Sequence, residues 1–288
     1  MEAALDQLKQ AVCDAGERRS ISDADLHDFA ANCIVALPVG GEGSRLRSLT
    51  DQLGVQKSAL RLPNGVSLIE HTILMYREAG FRKFVALVFH RAHSIVDILG
   101  DGSSLGVQIA YSQDPEMPVG RGGAIRHALE NGSIDHGKSL IVHNPDDVIA
   151  QYEGSFPRDA VAAHLAGLEV GTLATAIMVE GVRAPYTGMR LQQGMVVETR
   201  AYPFVPIPAH IGVTVFSPTV YPLFENLFDL TKKSDFEGVL FPLLASRNQL
   251  YATLIPTESC YQVNDPKSLD NLVHSFRDAT ECHDATTT

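Results

Sequence analysis

The 288-residue sequence has no tryptophan, no C-x-x-C pair, no H-E-x-x-H stretch, and fewer cations than acids. Its four cysteines, Cys13, Cys33, Cys260 and Cys282, show no metal-ligand spacing. A thiolate metal site is therefore not expected, and free thiols fit a reducing compartment. Lysine and arginine number 23 against 34 aspartates and glutamates, giving a net charge of −11 and a pI near 5.4. That shortage of positive charge argues against sequence-independent nucleic-acid binding, which rests on Lys/Arg patches. It leaves room for a local basic pocket. No apolar run approaches the length of a membrane span, and no charged-then-apolar leader opens the chain. The expected location is the cytoplasm, with no membrane partner.

What is present is ordinary for a soluble globular chain: 45% hydrophobic and 20% charged residues. The length suits one large domain or two small ones. The organising stretch is Val35-Ala-Leu-Pro-Val-Gly-Gly-Glu-Gly-Ser-Arg-Leu-Arg-Ser-Leu-Thr50, continued to Lys57. Ile34 to Leu37 reads as a buried strand, broken by Gly40, Gly41 and Gly43 ahead of Arg45 and a short helix. Glycines let the backbone approach a ligand, and successive N–H groups in such a turn form an anion site. Arg45, Arg47 and Lys57 add positive charge where phosphates would sit. The spacing matches neither G-x-G-x-x-G nor the P-loop.

The rest of the chain alternates strand and helix. Residues 1–32 form an expected N-terminal helical extension, with Ala3, Leu5, Leu8 and Val12 at helical spacing and Ser22 as an N-cap. Ser67 to Glu70 is a capping box that opens a helix to about Ala79, and Phe84–Phe89 is a strand. A loop through Pro115 and Pro118 leads into Gly120-Arg-Gly-Gly-Ala124 and another helix. The strand Ser139–His143 runs into Asn144-Pro-Asp-Asp147. Leu191 to Met195 reads as a hairpin turn, and 199–209, with three prolines, as an extended loop. A last helix ends near Phe276, and 278–288 is expected to be a disordered tail. Strands separated by helices of about ten residues indicate a doubly wound, mostly parallel α/β sheet. Sites in such sheets lie at the carboxyl ends of strands, where the Gly40 loop and Asp146 both fall.

The Gly40 stretch resembles the G-G-x-G-x-R-L-x-x-L-T signature of the sugar-phosphate nucleotidyltransferases, matching at Gly40, Gly41, Gly43, Arg45, Leu46, Leu49 and Thr50, with Ser44 in the usual Thr place. Further blocks follow in the family's order. Gly65 to His71 is similar to G-x-P-L-I-E-H, Gly100 to Gly106 to G-D-G-S-x-x-G, Pro118 to Ala124 to P-L-G-T-A-G-A, and Ser234 to Pro242 to D-F-E-x-x-x-F-P. The likeness covers about 33–276, which sets the expected nucleotidyltransferase domain at 33–277.

The resemblance implies a Rossmann-like, GT-A-like nucleotidyltransferase fold. It implies nucleotide binding by Gly40, Gly41, Gly43, Ser44, Gly120 and Gly122, and catalytic roles for Arg45, Lys57 and Asp146. Mg²⁺ is the implied cofactor. Its ligands would be Asp146, in Asn144-Pro-Asp146 where the family has N-G-D, and Asn264. The second-ligand stretch Tyr261-Gln-Val-Asn-Asp-Pro266 is unlike the W-x-D-x-G-T-P of many members and closer to the V-N-x form of uridylyltransferases. The family's Glu-Lys-Pro, whose Lys grips the sugar phosphate, falls here on Ala201-Tyr-Pro203, without the Lys. Between 184 and 231 there is no lysine, and the arginines are Arg190 and Arg200. Arg200 is the expected substitute, with His210 beside the sugar phosphate.

The leading reading is an enzyme that joins an NTP and a sugar 1-phosphate into a nucleotide-sugar and pyrophosphate. The alternative is a catalytically silent, nucleotide-sugar-binding relative that acts as a regulatory subunit. A nucleotide-sugar-dependent glycosyltransferase ranks last, since it leaves the Gly40–Arg45 loop unexplained. A homo-oligomer is left open.

Overall fold

Strand β1 (Cys33–Pro38) is apolar on both faces and buried along nearly its whole length. Such a strand needs cover on both sides. In the computed structural model, which describes residues 1–285 except Ala15, Glu17 and Arg18 and side chains as far as Arg277, it receives that cover. The elements follow in order as α1 (Glu2–Val12), α2 (Asp23–Ala31), β1, α3 (Arg47–Leu53), α4 (Leu68–Glu78), β2 (Lys83–Val88), α5 (Ala92–Leu99), β3 (Gln108–Gln113), α6 (Gly120–Glu130), β4 (Ser139–His143), β5 (Asp147–Ile149) and α7 (Phe156–Glu169). The second half runs β6 (Ala174–Val179), β7 (Val182–Arg183), β8 (Gly188–Gln192), β9 (Met195–Arg200), β10 (Phe204–Val205), β11 (Ala209–Phe216), α8 (Tyr221–Leu227), α9 (Phe236–Ser246), β12 (Leu250–Ile255), β13 (Cys260–Gln262) and α10 (Pro266–Ala285).

Seven strands form the main sheet in the order β12-β6-β11-β4-β1-β2-β3. All neighbours are parallel except β11, which runs antiparallel to β4 and β6. The period of two then sorts the side chains. Cys33, Val35 and Leu37 join one core cluster with Ile73 and Tyr76 of α4, Ile95 of α5 and Val161 of α7. Ile34 and Ala36 join the opposite cluster with Ile125 of α6, Phe224 of α8 and Phe236 of α9. The sheet is doubly wound and mostly parallel, as the alternating pattern predicts.

Local chemistry sets the helix starts. Ser67 and Ser22 both form complete capping boxes, with Glu70 and Asp25 reaching back to the cap. Within the segment 1–32, α2 buries Leu26, Phe29 and Ala30 in the main core, whereas α1 buries no residue fully. Two segments differ from the sequence reading. Residues 199–209 are not all loop: β9 runs through Arg200 against β8, and β10 pairs with β7. The last helix continues past Phe276 to Ala285; residues 286–288 lie outside the described residues.

After β1 the chain winds one way, to β2 and β3, then returns to place β4 on the other side of β1. The loops leaving β1 and β4 therefore diverge and leave a crevice at their carboxyl ends.

Candidate active site

That crevice is a cleft of about 680 Å³, walled by the Gly40–Arg45 turn, Lys57, Asp114, the Gly120–Arg121 turn, Asn144, Asp146, Lys233, Asp235 and Asn264. The first wall is local. Val39 N–H still bonds to Leu87 O at 2.9 Å, and Gly43 then turns at φ 60°. A Cβ on Gly43 would sit 3.4 Å from Lys57 Cβ, so the turn lies directly on that lysine. Ser44–Leu46 forms a 3-10 turn whose Leu46 is fully buried, leaving Ser44 and Arg45 exposed at the cleft. Arg45 makes no ion pair among the described residues.

The second wall is the turn after β4. Lys57 Nζ donates to Asp146 Oδ2, and both side chains are largely shielded, at 15% and 19% exposure. Behind this pair the turn is fixed by buried hydrogen bonds. His143 Nε2–H donates to Asp147 O at 2.9 Å, which leaves Nδ1 to accept from the Tyr76 hydroxyl at 3.0 Å. Burial depresses the His143 pKa to about 4, consistent with that neutral tautomer. Asp147 turns inward. It is buried, it accepts from Asn144 Nδ2 at 3.1 Å, and burial together with the Asp146 charge pushes its pKa well above the carboxylate range. Gly212 makes the space: a Cβ there would lie 2.2 Å from Asn144 Nδ2 and 2.3 Å from Asp147 Oδ2, at a φ of 73° that favours glycine.

Asn264 reaches the same cleft through long-range pairing. β13 lies antiparallel to β5 with Gln262 opposite Asp147, and Val263 N–H extends the ladder to Asp146 O at 2.8 Å. Val263 and Val148 anchor this pairing in a separate small core with Leu46 and Leu68. Among the described residues no group of three or more His, Cys, Asp and Glu gathers to hold a metal ion. The donors on offer at this point are one carboxylate and one amide oxygen, with the Lys57 ammonium already drawn to the carboxylate. A few hard oxygen donors fit a Mg²⁺ ion that keeps several waters and takes the rest of its shell from phosphates.

The third wall was only half visible in the sequence. Gly120 is pressed against Ser234, whose backbone a Cβ would meet at 2.6 Å. Arg121 N–H donates to Asp235 Oδ1 at 2.9 Å, its guanidinium contacts Asp235 at 3.3 Å and Glu237 at 2.7 Å, and it lies 5.6 Å over the Phe236 ring. Lys233 lines the cleft, is exposed, and makes no ion pair among the described residues. Arg121 was signalled by its departure from P-L-G-T-A-G-A, since it replaces the Thr. Lys233 falls just beyond 184–231, the stretch in which the sequence pattern places a substitute for the family's Lys.

Three expected site residues do not reach the cleft. Gly122 faces the core, where a Cβ would fall 2.1 Å from Phe228 Cε1. Arg200 ends β9 opposite Gly188 on an exposed ribbon, because the hairpin pairing, not a free loop, sets its position. His210 Nε2 is bonded to Val213 O and Thr214 Oγ1 at 3.0 Å each, and its ring packs edge-on against Phe241. Burial lowers its pKa to about 4, so it carries no charge for a phosphate at neutral pH.

A family model for nucleotidyl transferases matches residues 36–194, which contain the Gly-rich turn, Lys57 and Asp146. The chain belongs to this family. Over 132 residues it is 34% identical to an N-acetylmuramate alpha-1-phosphate uridylyltransferase of Neisseria meningitidis, covering 43% of this chain and 54% of that protein. Over 194 residues it is 28% identical to a low-salt glycan biosynthesis nucleotidyltransferase of Haloferax volcanii, covering 65% of this chain and 50% of that one. The chain thus spans about half the length of the curated relatives it matches. In fold it superposes with TM-score 0.64 on a protein described as a glucose-1-phosphate thymidylyltransferase from Bacillus anthracis, at 16% identity over 85% of this chain and 96% of that one. A UDP-glucose pyrophosphorylase bound to UDP-glucose gives the same TM-score at 14% identity, over 85% and 98%. This nucleotidyltransferase-family chain therefore has the Rossmann-like fold of the group. Among the described residues no helix is long and apolar enough to cross a membrane.

Proposed function

We propose that the chain is a sugar-1-phosphate nucleotidylyltransferase that converts an NTP and a sugar 1-phosphate to a nucleotide-sugar and pyrophosphate. The observation that carries this reading is the cleft itself, where a glycine turn and the cations Arg45, Lys57, Arg121 and Lys233 line the same space as the Asp146 carboxylate, with Lys57 paired to it. The attacking sugar-phosphate oxygen is already anionic, so no protein base is required. The protein's task is to hold two anions together and offset their charge. Backbone N–H groups of the Gly40–Ser44 turn and Arg45 suit the triphosphate. Lys233 is free to meet the second phosphate, and Arg121, fixed by two carboxylates, borders the space between. Asp146 and Asn264 would hold Mg²⁺, which when bound supplies charge neutralisation at the transferring phosphoryl group.

One observation favours the silent regulatory relative: Tyr202 occupies the place of the family's second-half Lys and is 62% exposed, and Arg200 lies outside the cleft. Pyrophosphate release over a matrix of NTPs and sugar 1-phosphates separates the two. UTP with N-acetylmuramate 1-phosphate comes first in that matrix, because the Neisseria relative carries that activity in its name. Release with at least one pair supports the enzyme. No release with any pair, alongside thermal stabilisation by a nucleotide-sugar, supports the silent relative.

A further inference from the structure

The turn between β2 and α5 does not line the cleft, yet it grips both ends of the stretch that carries the glycine turn to Lys57. At the near end His90 N–H donates to Gly40 O at 3.3 Å, and a Cβ on Gly40 would meet Phe89 Cβ at 3.2 Å. At the far end Ser94 Oγ accepts from Gln56 N–H at 2.9 Å and donates to Arg91 O at 2.8 Å. Gln56 and Ser94 are both buried. Arg91 spans the middle. One terminal nitrogen of its guanidinium donates to Thr50 O at 2.5 Å and Val55 O at 3.0 Å, and the other reaches Asp51 at 2.6 Å. Thr50 and Asp51 belong to the last turn of α3, and Val55 follows its Gly54 cap. Arg91 itself stands in the left-handed region, at φ 51° and ψ 40°. A non-glycine residue is strained there, and such strain persists only where surrounding contacts over-determine it. The contacts to α3 and the segment after it do so.

We infer that Arg91 is a positioning residue, which sets Lys57 in the cleft without touching substrate. The inference rests on the reading of Lys57 as a phosphate-facing group. Lys57 comes directly after the braced Val55 and Gln56, pairs with Asp146 and lies against Gly43. Its long side chain is flexible, so the ammonium is placed only as well as the backbone beneath it. A shift of about 1 Å set far from the chemistry can cost on the order of a hundredfold in rate. Arginine suits the task because its planar fork bonds both carbonyls and the Asp51 carboxylate at once. A lysine offers a point charge in place of that fork.

The test is a double-mutant cycle of Arg91→Gly and Lys57→Ala, read in kcat and KM for pyrophosphate release. Hydrogen exchange of the unliganded full chain is the second readout. Glycine removes the guanidinium while relieving the left-handed backbone, so the fold should survive. The expected result is a kcat lowered at least about tenfold by Arg91→Gly alone, and less than about threefold when Lys57 is already alanine. Amides at 55–58 should exchange at least about tenfold faster, with β1 and β4 unchanged. Equal kcat losses in both backgrounds would mark a general structural role and overturn the proposal. Wild-type turnover in Lys57→Ala also overturns it, by removing the group through which Arg91 acts. Unchanged exchange at 55–58 overturns it too, and that readout holds even where wild type releases no pyrophosphate and the assigned activity fails. If Arg91→Gly does not fold, Arg91→Lys keeps the charge but loses the fork, and the same readouts apply.

Discussion

Gly122→Ala distinguishes a packing glycine from a ligand-facing one. The added methyl would lie 2.1, 2.3 and 2.7 Å from three carbons of the Phe228 ring, whereas carbon pairs settle near 3.5–4.0 Å. The ring must therefore retreat by about 1.5 Å. It has nowhere to go: Phe228 is 2% exposed and stacks on Phe224 at 5.4 Å, and Phe224 is braced edge-on by Phe216 at 5.3 Å. Overpacking of this kind costs about 1–3 kcal/mol, and a displacement against a stacked ring belongs at the upper end. Alanine regains about 1 kcal/mol of helix propensity in α6. The net expectation is a loss of about 2 kcal/mol, which for a chain of this size lowers the melting temperature by about 4–6 °C. Thermal and guanidinium unfolding measure it. Phe228→Leu in the same chain should relieve the clash, with a coupling of at least about 1 kcal/mol in the double-mutant cycle. Wild-type melting together with a raised KM for the NTP would refute the packing argument and return Gly122 to the nucleotide.

Arg45→Ala and Lys57→Ala should each reduce turnover by roughly a hundredfold or more, as expected for lost charge stabilisation at transferring phosphates; near-normal pyrophosphate release in both removes the glycine turn from the site. Asp146→Asn should abolish Mg²⁺-dependent turnover and Asn264→Ala should weaken it strongly. Asp147→Asn should keep most turnover and raise stability at neutral pH, because an acid whose folded pKa is raised destabilises the fold once pH passes its unfolded value; greater damage at Asp147 than at Asp146 would overturn the ligand choice. Lys233→Ala should raise the KM for the sugar phosphate at least tenfold, an effect of lost ground-state binding, while Arg200→Ala leaves it unchanged; the opposite pattern reinstates Arg200. His143 and His164 are buried with pKa values lowered to about 4. Their neutral forms support the fold fully above the unfolded pKa near 6.5. That support is lost as pH falls toward 4, by up to about 3 kcal/mol each. Denaturant midpoints that are equal at pH 7 and pH 4.5 would count against this.

Much of the site was legible because it is local. The β1 run, the glycine turn and Arg45 are contiguous, and Asn144 to Asp147 follow a strand directly, so position in sequence gives position at a strand end. The two capping boxes were readable for the same reason. Arg200 was misjudged because an extended loop and a hairpin strand share a composition; the pairing with β8 that separates them depends on a partner strand and a bulge. His210 looked available because a lone histidine shows nothing of the carbonyl and hydroxyl that occupy its ring nitrogen.

The sequence by itself determined the period-two strands with two buried faces, the helices between them and the glycine turn after β1, since each follows from neighbours a few residues apart. Only the tertiary structure decided which of two adjacent aspartates faces the cleft, because that choice rests on the space left by Gly212, 65 or more positions away. It also decided that Gly122 packs against Phe228 and that Lys233 lines the same cleft as Arg121. Asn264 is carried to the Asp146 end of the cleft by the hydrogen bond from its neighbour Val263 N–H to Asp146 O, between residues more than a hundred positions apart. Side chains so distant in sequence meet only once the sheet and its covering helices have fixed the backbone between them.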